Sequence, residues 1–260
     1  MQLTFLGTGT SMGVPIIGCS CDVCTSTDPH NKRLRTSALL SVGDRRLLID
    51  AGPDFRAQAL ANHITRLDAV LTTHSHYDHV GGLDDLRPLI GQEGNMPIYA
   101  YASTLRDIRE RFSYAFSGID DGSTRPLLEL HEIQPYQPFC AGRITILPFN
   151  VQHGTWTITG FRMGRLGYIT DASAMPPVSR EVLHGLDVLV LNALRFIDHP
   201  THFSLEQALA LVEELQPQRT FLVHLTHAFD HAPTNRELPD GVQLAYDGLT
   251  VELPEPSRCA

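Results

Sequence analysis

The chain has no run of about 18 uncharged apolar residues, so no transmembrane helix is expected. Its first residues, Met1-Gln2-Leu3-Thr4-Phe5-Leu6-Gly7, lack the basic start and apolar core of a leader and read as a strand. Positive charge is scarce. Lys and Arg number 20 against 29 Asp and Glu, a formal charge of -9. That balance argues against a nucleic-acid coat, which needs a basic face, and leaves room only for a nucleic-acid substrate gripped at a local cationic or metal site. Cysteines number five, and Cys19, Cys21 and Cys24 crowd into six positions, with Cys140 and Cys259 far away. An odd, clustered set does not suit a secreted disulfide framework, so a reducing cytoplasm is expected. No repeat, low-complexity tract or linker divides the sequence. Hydrophobic residues at 42% and charged residues at 19% supply a core without any signature of disorder. Histidine is abundant instead, at 13 residues.

Apolar patterning predicts strands at Gln2–Gly7, Thr36–Val42 and Arg45–Asp50, the last two joined by a Gly43-Asp44 turn. Ala69–Thr73 reads as a short buried strand, Ile98–Ala102 as another, and Leu83–Gly91 as a helix. Thr104–Phe116 reads as a helix capped by Ser103 or Thr104. Further strands are expected at Arg143–Pro148, Trp156–Met163, Leu166–Thr170, Leu186–Asn192 and Thr220–Val223. Ser204 and Gln207 form a capping box for a helix to Leu215. Val242–Ala245 and Thr250–Leu253 flank Asp247-Gly248 as a last hairpin. This mixture suits two packed sheets with outer helices.

The densest chemistry is Thr73-His74-Ser75-His76-Tyr77-Asp78-His79, with four metal-ligand side chains in six positions after an apolar strand. Imidazole and carboxylate suit Zn²⁺, and carboxylate also suits Mn²⁺ or Fe. A tag-like surface run would sit at a terminus among polar residues, whereas this one follows Leu67–Leu71 and precedes Gly81-Gly82. In a turn, the spacing splays His74 and His76 to one side and Asp78 and His79 to another.

This H-x-H-x-D-H segment resembles the metallo-β-lactamase superfamily. The resemblance implies an αββα sandwich, two mixed sheets with outer helices, as one domain over residues 1–260. It also implies a ligand set. His74, His76 and His153 would hold one metal ion, and Asp78, His79 and His224 the other. Asp171 would bridge them, and Asp50, in Leu48-Ile49-Asp50-Ala51-Gly52, would support the loop from behind. Two Zn or Mn ions are implied. Such a pair lowers the pKa of a shared water and neutralises oxygens that gain charge at phosphorus.

Cys19-x-Cys21-x2-Cys24, in a loop at residues 18–25, supplies three of the four thiolate or imidazole ligands that a tetrahedral structural Zn needs. Cys140, Cys259 and His227 are candidates for the fourth, and a redox-active thiol set is the alternative. His202, in Thr201-His202-Phe203-Ser204, stands at a helix entrance, where it can protonate a leaving alkoxide or contact a phosphoryl group. Arg56, Arg87 and Arg195 are cations at loops or helix edges that can reach a substrate phosphate.

The Gly7-Thr8-Gly9-Thr10 turn, the Cys loop and the His224-x2-His227 pair together resemble the PhnP branch of cyclic phosphate phosphodiesterases. A Val stands before His224 where that branch has Thr. This closer resemblance implies that Cys19, Cys21, Cys24 and His227 hold a structural Zn. It implies His202, Asp78 and Asp171 as catalytic residues, a small cyclic phosphodiester substrate of the 5-phosphoribosyl 1,2-cyclic phosphate kind, and a homodimer. The alternatives in the superfamily are a tRNA 3′-processing endonuclease, a glyoxalase II-type thioester hydrolase and a lactamase. The endonuclease carries an inserted basic arm that this chain lacks. A pyrroloquinoline-quinone-associated carrier or oxygen-binding protein is the non-hydrolytic alternative.

Overall fold

The first sheet comes from the N-terminal half of the chain. Its strands are β1 (Gln2–Gly7), β2 (Ser37–Val42), β3 (Arg45–Ile49), β4 (Ala69–Leu71), β5 (Met96–Ala100) and β6 (Leu128–Glu132). The second holds β7 (Phe139–Ala141), β8 (Ile144–His153), β9 (Trp156–Met163), β10 (Leu166–Tyr168), β11 (Val188–Asn192), β12 (Arg219–Val223) and β13 (Val242–Leu244). The last strand, β14 (Thr250–Glu252), returns to the first sheet beside β1, giving the order β14-β1-β2-β3-β4-β5-β6 against β13-β12-β11-β10-β9-β8-β7. Both sheets are mixed: β3 to β6 run parallel, as do β10 to β13, while the remaining pairs are antiparallel. The computed structural model describes residues 1–90, 94–118, 122, 124–257 and 259.

Strand alternation builds the layers. Val188 and Val190 of β11 face inward, against Leu3, Phe5 and Leu40 of the first sheet. Leu189 and Leu191, between them, face outward against Ala208, Leu211 and Leu215. A strand buried on both faces must be apolar throughout, which explains the unbroken run. Each such aliphatic side chain contributes about 1.5–3 kcal/mol on burial. The outer layers are helical. They comprise α1 (Asp22–Thr25), α2 (Phe55–Ala61), α3 (Tyr77–Val80), α4 (Ala102–Arg111), α5 (Pro177–Val182), α6 (Leu205–Leu215) and α7 (His231–Glu237). Phe55, Leu105, Ile108 and Phe112 cover the first sheet, while α6 covers the second. The architecture is the αββα sandwich that the resemblance implied. Among the described residues, no helix is long and apolar enough to cross a membrane.

Several expected elements differ. The capping box of α6 forms as read, with Ser204 and Gln207 satisfying each other's backbone N–H. The helix expected from Thr104 begins two residues earlier, with Tyr101 as N-cap and no side-chain cap, and ends at Arg111. Thr104 is buried there and unavailable as a cap. Leu83–Leu89 is a 3-10 helix with Pro88 inside it, whose missing N–H rules out a regular α-helical turn. Gly91, the expected end, lies outside the described residues.

The last hairpin does not form. Its first arm pairs with β12 in the second sheet, and its second arm pairs with β1 in the first. The chain does turn at Asp247-Gly248, where Gly248 has φ +89°. The turn crosses between sheets because the half-buried Asp247 carboxylate accepts from Leu34 N at 2.7 Å and Thr8 Oγ1 at 2.8 Å.

Candidate functional site

Most of the histidine–carboxylate set stands at or just beyond a strand end, while Asp78 and His79 lie on the short helix α3. Asp50 follows β3, His74 and His76 follow β4, Asp171 follows β10, and His224 follows β12, while His153 ends β8. Three of these carry left-handed backbone: Asp50 (φ 61°), Asp171 (φ 58°) and His224 (φ 57°). Asp and His tolerate that region better than most side chains, yet each instance costs on the order of 1–3 kcal/mol. The bend turns each side chain off its strand axis toward a shared point. Gly52 lets the loops close together, since a Cβ there would lie 2.1 Å from the Asp78 carbonyl oxygen.

The structure brings the expected ligands into two adjoining groups. His74, His76 and His153 form one, and Asp78, His79, Asp171 and His224 the other, with ligand atoms in each group within 4.8 Å of one another. Asp171 also groups with His153 and His202 and so stands between the two. Asp50 braces the set from beneath. Its Oδ1 accepts from Thr73 N at 2.8 Å, and its Oδ2 from Thr73 Oγ1 at 2.8 Å and His79 Nδ1 at 2.7 Å. That contact aims His79 Nε2 at Asp78 (3.2 Å) and Asp171 (3.3 Å). His224 Nε2 faces Asp171 at 3.1 Å and Asp78 at 3.5 Å. His153 Nδ1 donates to the Thr201 carbonyl at 2.8 Å, which presents its Nε2 to the centre.

His79 Nε2 and His224 Nε2 are buried without a well-formed hydrogen bond. Buried polar atoms are normally satisfied, and a divalent cation among these imidazoles and carboxylates satisfies both. Charge is strongly polarised here. Burial pushes His79 down, but the Asp78, Asp171 and Asp50 carboxylates overcome it and hold it well above its ordinary value. Burial likewise opposes ionisation of Asp171, and His224 and His79 outweigh it. His74, His76 and His153 are all lowered, mainly by burial, so they are neutral and fit to ligate.

His202 lies where expected, with Nε2 at 3.0 Å from Asp171 Oδ1. The Thr201 hydroxyl lies 2.8 Å from its Nδ1. Donation from that hydroxyl leaves the ring proton on Nε2, facing Asp171.

At the surface, Cys19, Cys21 and Cys24 place their Sγ atoms 3.3, 3.4 and 3.4 Å from His227 Nδ1. His227 is therefore the fourth member. Cys140 and Cys259 are excluded because they are joined to each other in a disulfide across 119 residues, a pairing that the odd count did not suggest. Cys21 is lowered to about 7, chiefly by the Cys24 backbone N–H, whereas burial raises Cys24 to about 11.

Sequence reasoning missed the wall beside this centre. Trp156 packs against His76 with the rings tilted by 36° and their centroids 4.8 Å apart. A cavity of about 340 Å³ opens there, lined by His74, Ser75, Ser103, Thr104, Asp107 and Trp156 among others. The signal available was the chain's single Trp, three residues after His153. A larger cavity, about 720 Å³, runs along α6 and includes none of these histidines. Two of the expected cations do not reach the centre. Arg87 pairs with Asp84, and Arg195 donates to the Ile197 and Asp198 carbonyls of its own loop.

Residues 45–225 match the family described as "Beta-lactamase superfamily domain". An octanoyltransferase of Porphyromonas gingivalis is 41% identical over 98% of this chain and 52% of its own length, so the chain spans about half of that relative. A crystal structure of a diphosphatase from the PhnP family superposes with a TM-score of 0.92 at 41% identity, covering 99% of both chains. Zn²⁺-bound PqqB from Methylobacterium extorquens shares the fold alone, at TM-score 0.80 and 22% identity over 97% of this chain and 100% of that one. The metal-ligand groups and these likenesses support a metal-dependent hydrolase. The chain belongs to the β-lactamase superfamily and, at 41% identity over nearly its whole length, to the PhnP family within it.

Proposed function

We propose that the protein is a dinuclear metal-dependent phosphodiesterase for a small cyclic phosphodiester, with His74, His76 and His153 on one ion, Asp78, His79 and His224 on the other, and Asp171 between them. The observation that carries this is the convergence of those seven side chains on two adjoining buried groups, with His202 Nε2 held against Asp171. Bound cations such as Zn or Mn supply an acidified water and neutralise charge developing on phosphoryl oxygens. The protein does the rest. Asp50 holds the His79 ring in place, and the Thr201 carbonyl does the same for His153.

His202 offers an Nε2–H at the mouth of the site. Burial lowers its pKa, although the Asp171 hydrogen bond opposes the shift. A neutral imidazole that keeps Nε2–H favours contact with a phosphoryl oxygen over proton delivery to the leaving group. The Cys19, Cys21, Cys24 and His227 cluster suits one structural Zn.

A second reading, hydrolysis of a diphosphate bond, is favoured by the name of the PhnP-family diphosphatase. Both reactions place charge on phosphoryl oxygens, and the same residues serve either. The octanoyltransferase name belongs to a chain about twice as long and assigns no acyl transfer here. The test is turnover of the purified protein on cyclic phosphates, a nucleoside diphosphate, a thioester and a lactam, with metal analysis of the same sample. Turnover confined to the thioester or lactam rejects phosphoryl chemistry. Turnover of the diphosphate alone selects the second reading.

A further inference from the structure

Helix α6 has more apolar surface than the second sheet covers. Ala208, Leu211 and Leu215 are buried against that sheet. Leu205, Leu209 and Val212 form a second stripe at i, i+4 and i+7, and these three are only half-buried. The cavity of about 720 Å³ runs along this second stripe. Pro217, Pro239, Val242 and the half-exposed Phe196 supply further apolar lining. Every charged residue among those lining it is acidic: Glu206 and Glu213 from α6, and Asp240 from the turn before β13, all three exposed.

We propose that this groove docks an amphipathic helix of a partner protein, one whose apolar stripe is flanked by Lys or Arg. The docking site is independent of the reaction proposed above. Leu205–Leu215 spans about 15 Å at 1.5 Å per residue, room for roughly three turns of a second helix laid alongside. Helix-in-groove binding uses anchors at i, i+4 and i+7, the spacing that Leu205, Leu209 and Val212 present in return. An added strand would need backbone partners instead. Pro217 and Pro239 have no N–H, and the Val242 and Leu244 N–H groups already donate to the Pro239 carbonyl and Asn235 Oδ1. The acidic lining selects a cationic helix, and it repels nucleic acid and anionic lipid surfaces. The chain's own basic helix does not fit. It is α4, with Arg106, Arg109 and Arg111, whose apolar residues Leu105 and Ile108 are buried on the first sheet.

The probe is a fluorescent helical peptide of about four turns, with leucines at i, i+4, i+7 and i+11 and lysines beside them. Its anisotropy, read against the whole chain, should rise saturably. A peptide of the same composition with scattered leucines should bind at least about tenfold more weakly, as should one with glutamates in place of the lysines. Leu209→Ser should weaken the first peptide about tenfold, with an unchanged circular dichroism spectrum. Leu209 also touches the core, so Glu206→Gln with Glu213→Gln, both on the surface, is the second variant. That pair should weaken binding at least about threefold and flatten its dependence on salt. Glu129→Gln with Glu132→Gln, on β6 of the other sheet, should change it less than about twofold, which separates the groove from general attraction to a chain of charge -9. The proposal is overturned if the leucine–lysine peptide does not bind, or if the scattered peptide or a proline-interrupted one binds equally well. It is also overturned if the two glutamate pairs matter alike. A dimer in sedimentation that Leu209→Ser converts to monomer assigns the face to a second copy and overturns it as well.

Discussion

The two metal-ligand clusters share one short stretch of chain, His224 to His227, yet they are built on opposite principles. In the inner cluster His74, His79, Asp171 and His224 are each at most 2% exposed. They arrive from three separate parts of the chain, the β4–α3 segment and the ends of β10 and β12, and second hydrogen bonds such as those to Asp50 and the Thr201 carbonyl fix His79 and His153. In the outer cluster three thiols sit on one loop, Cys21 is exposed, and His227 meets them across more than 200 residues of chain. The packed sheets position the first set, whereas the second depends on its ligand chemistry to hold a loop in place. Damage to the inner cluster should therefore appear in rate, and damage to the outer one in stability.

Three substitutions test that contrast. Asp171→Ala should have the largest effect, a fall in kcat of about 10³-fold or more with loss of inner metal and retention of the outer ion. Turnover at the wild-type rate would sink the bridging role. His202→Ala should lower turnover by roughly 10²–10³-fold with full metal content, the scale of losing one donor to developing phosphoryl charge, and a parallel loss of metal would reassign it as a ligand. Cys21→Ser should release one metal ion per chain and lower the melting temperature more than Asp171→Ala does, while the folded fraction stays active. Unchanged metal stoichiometry in elemental analysis would contradict the outer site.

The smallest effect should come from a residue in neither cluster. Burial raises Asp247 from 3.8 to about 7, despite the hydrogen bonds from Leu34 and Thr8. The folded state then binds more protons than the unfolded state between these values. Its stabilising contribution is complete below about pH 4 and is lost as pH rises through about 7. The half-buried carboxylate limits the slope to about 1 kcal/mol per pH unit at most. Asp247→Asn can still accept from Leu34 and donate to Thr8, and should flatten the dependence of melting temperature on pH over this window. An unchanged slope would assign it to other groups.

Much of the inner site is legible because His74, His76, Asp78 and His79 lie within one turn, and because the remote ligands end apolar strands. The outer site was legible in its thiols, but spacing alone left Cys140 and Cys259 as rivals to His227. Proximity in space, together with the pairing of the two remote cysteines, resolves that choice. Trp156 and Asp107 carry no local motif, and only the approach of α4 to the β8–β9 hairpin brings them together. The missed elements have physical reasons as well. Leu128–Glu132 is a half-polar edge strand, α5 starts at a Pro-Pro pair that reads as loop, and α7 contains Pro233. Asp247-Gly248 signals a turn correctly, but no local signal says that its two arms join different sheets.

That divided pair of arms also bears on how fast the chain can reach its native state. Gln2 pairs with Glu252, and the Met1 amino group reaches the Leu253 carbonyl across 252 residues. Contacts between such distant partners require a very large loop to close before they return any energy, which slows folding. The edge of β1 beside β14 therefore stays open until late, and refolding after dilution from denaturant should be slow, with the first sheet completed last.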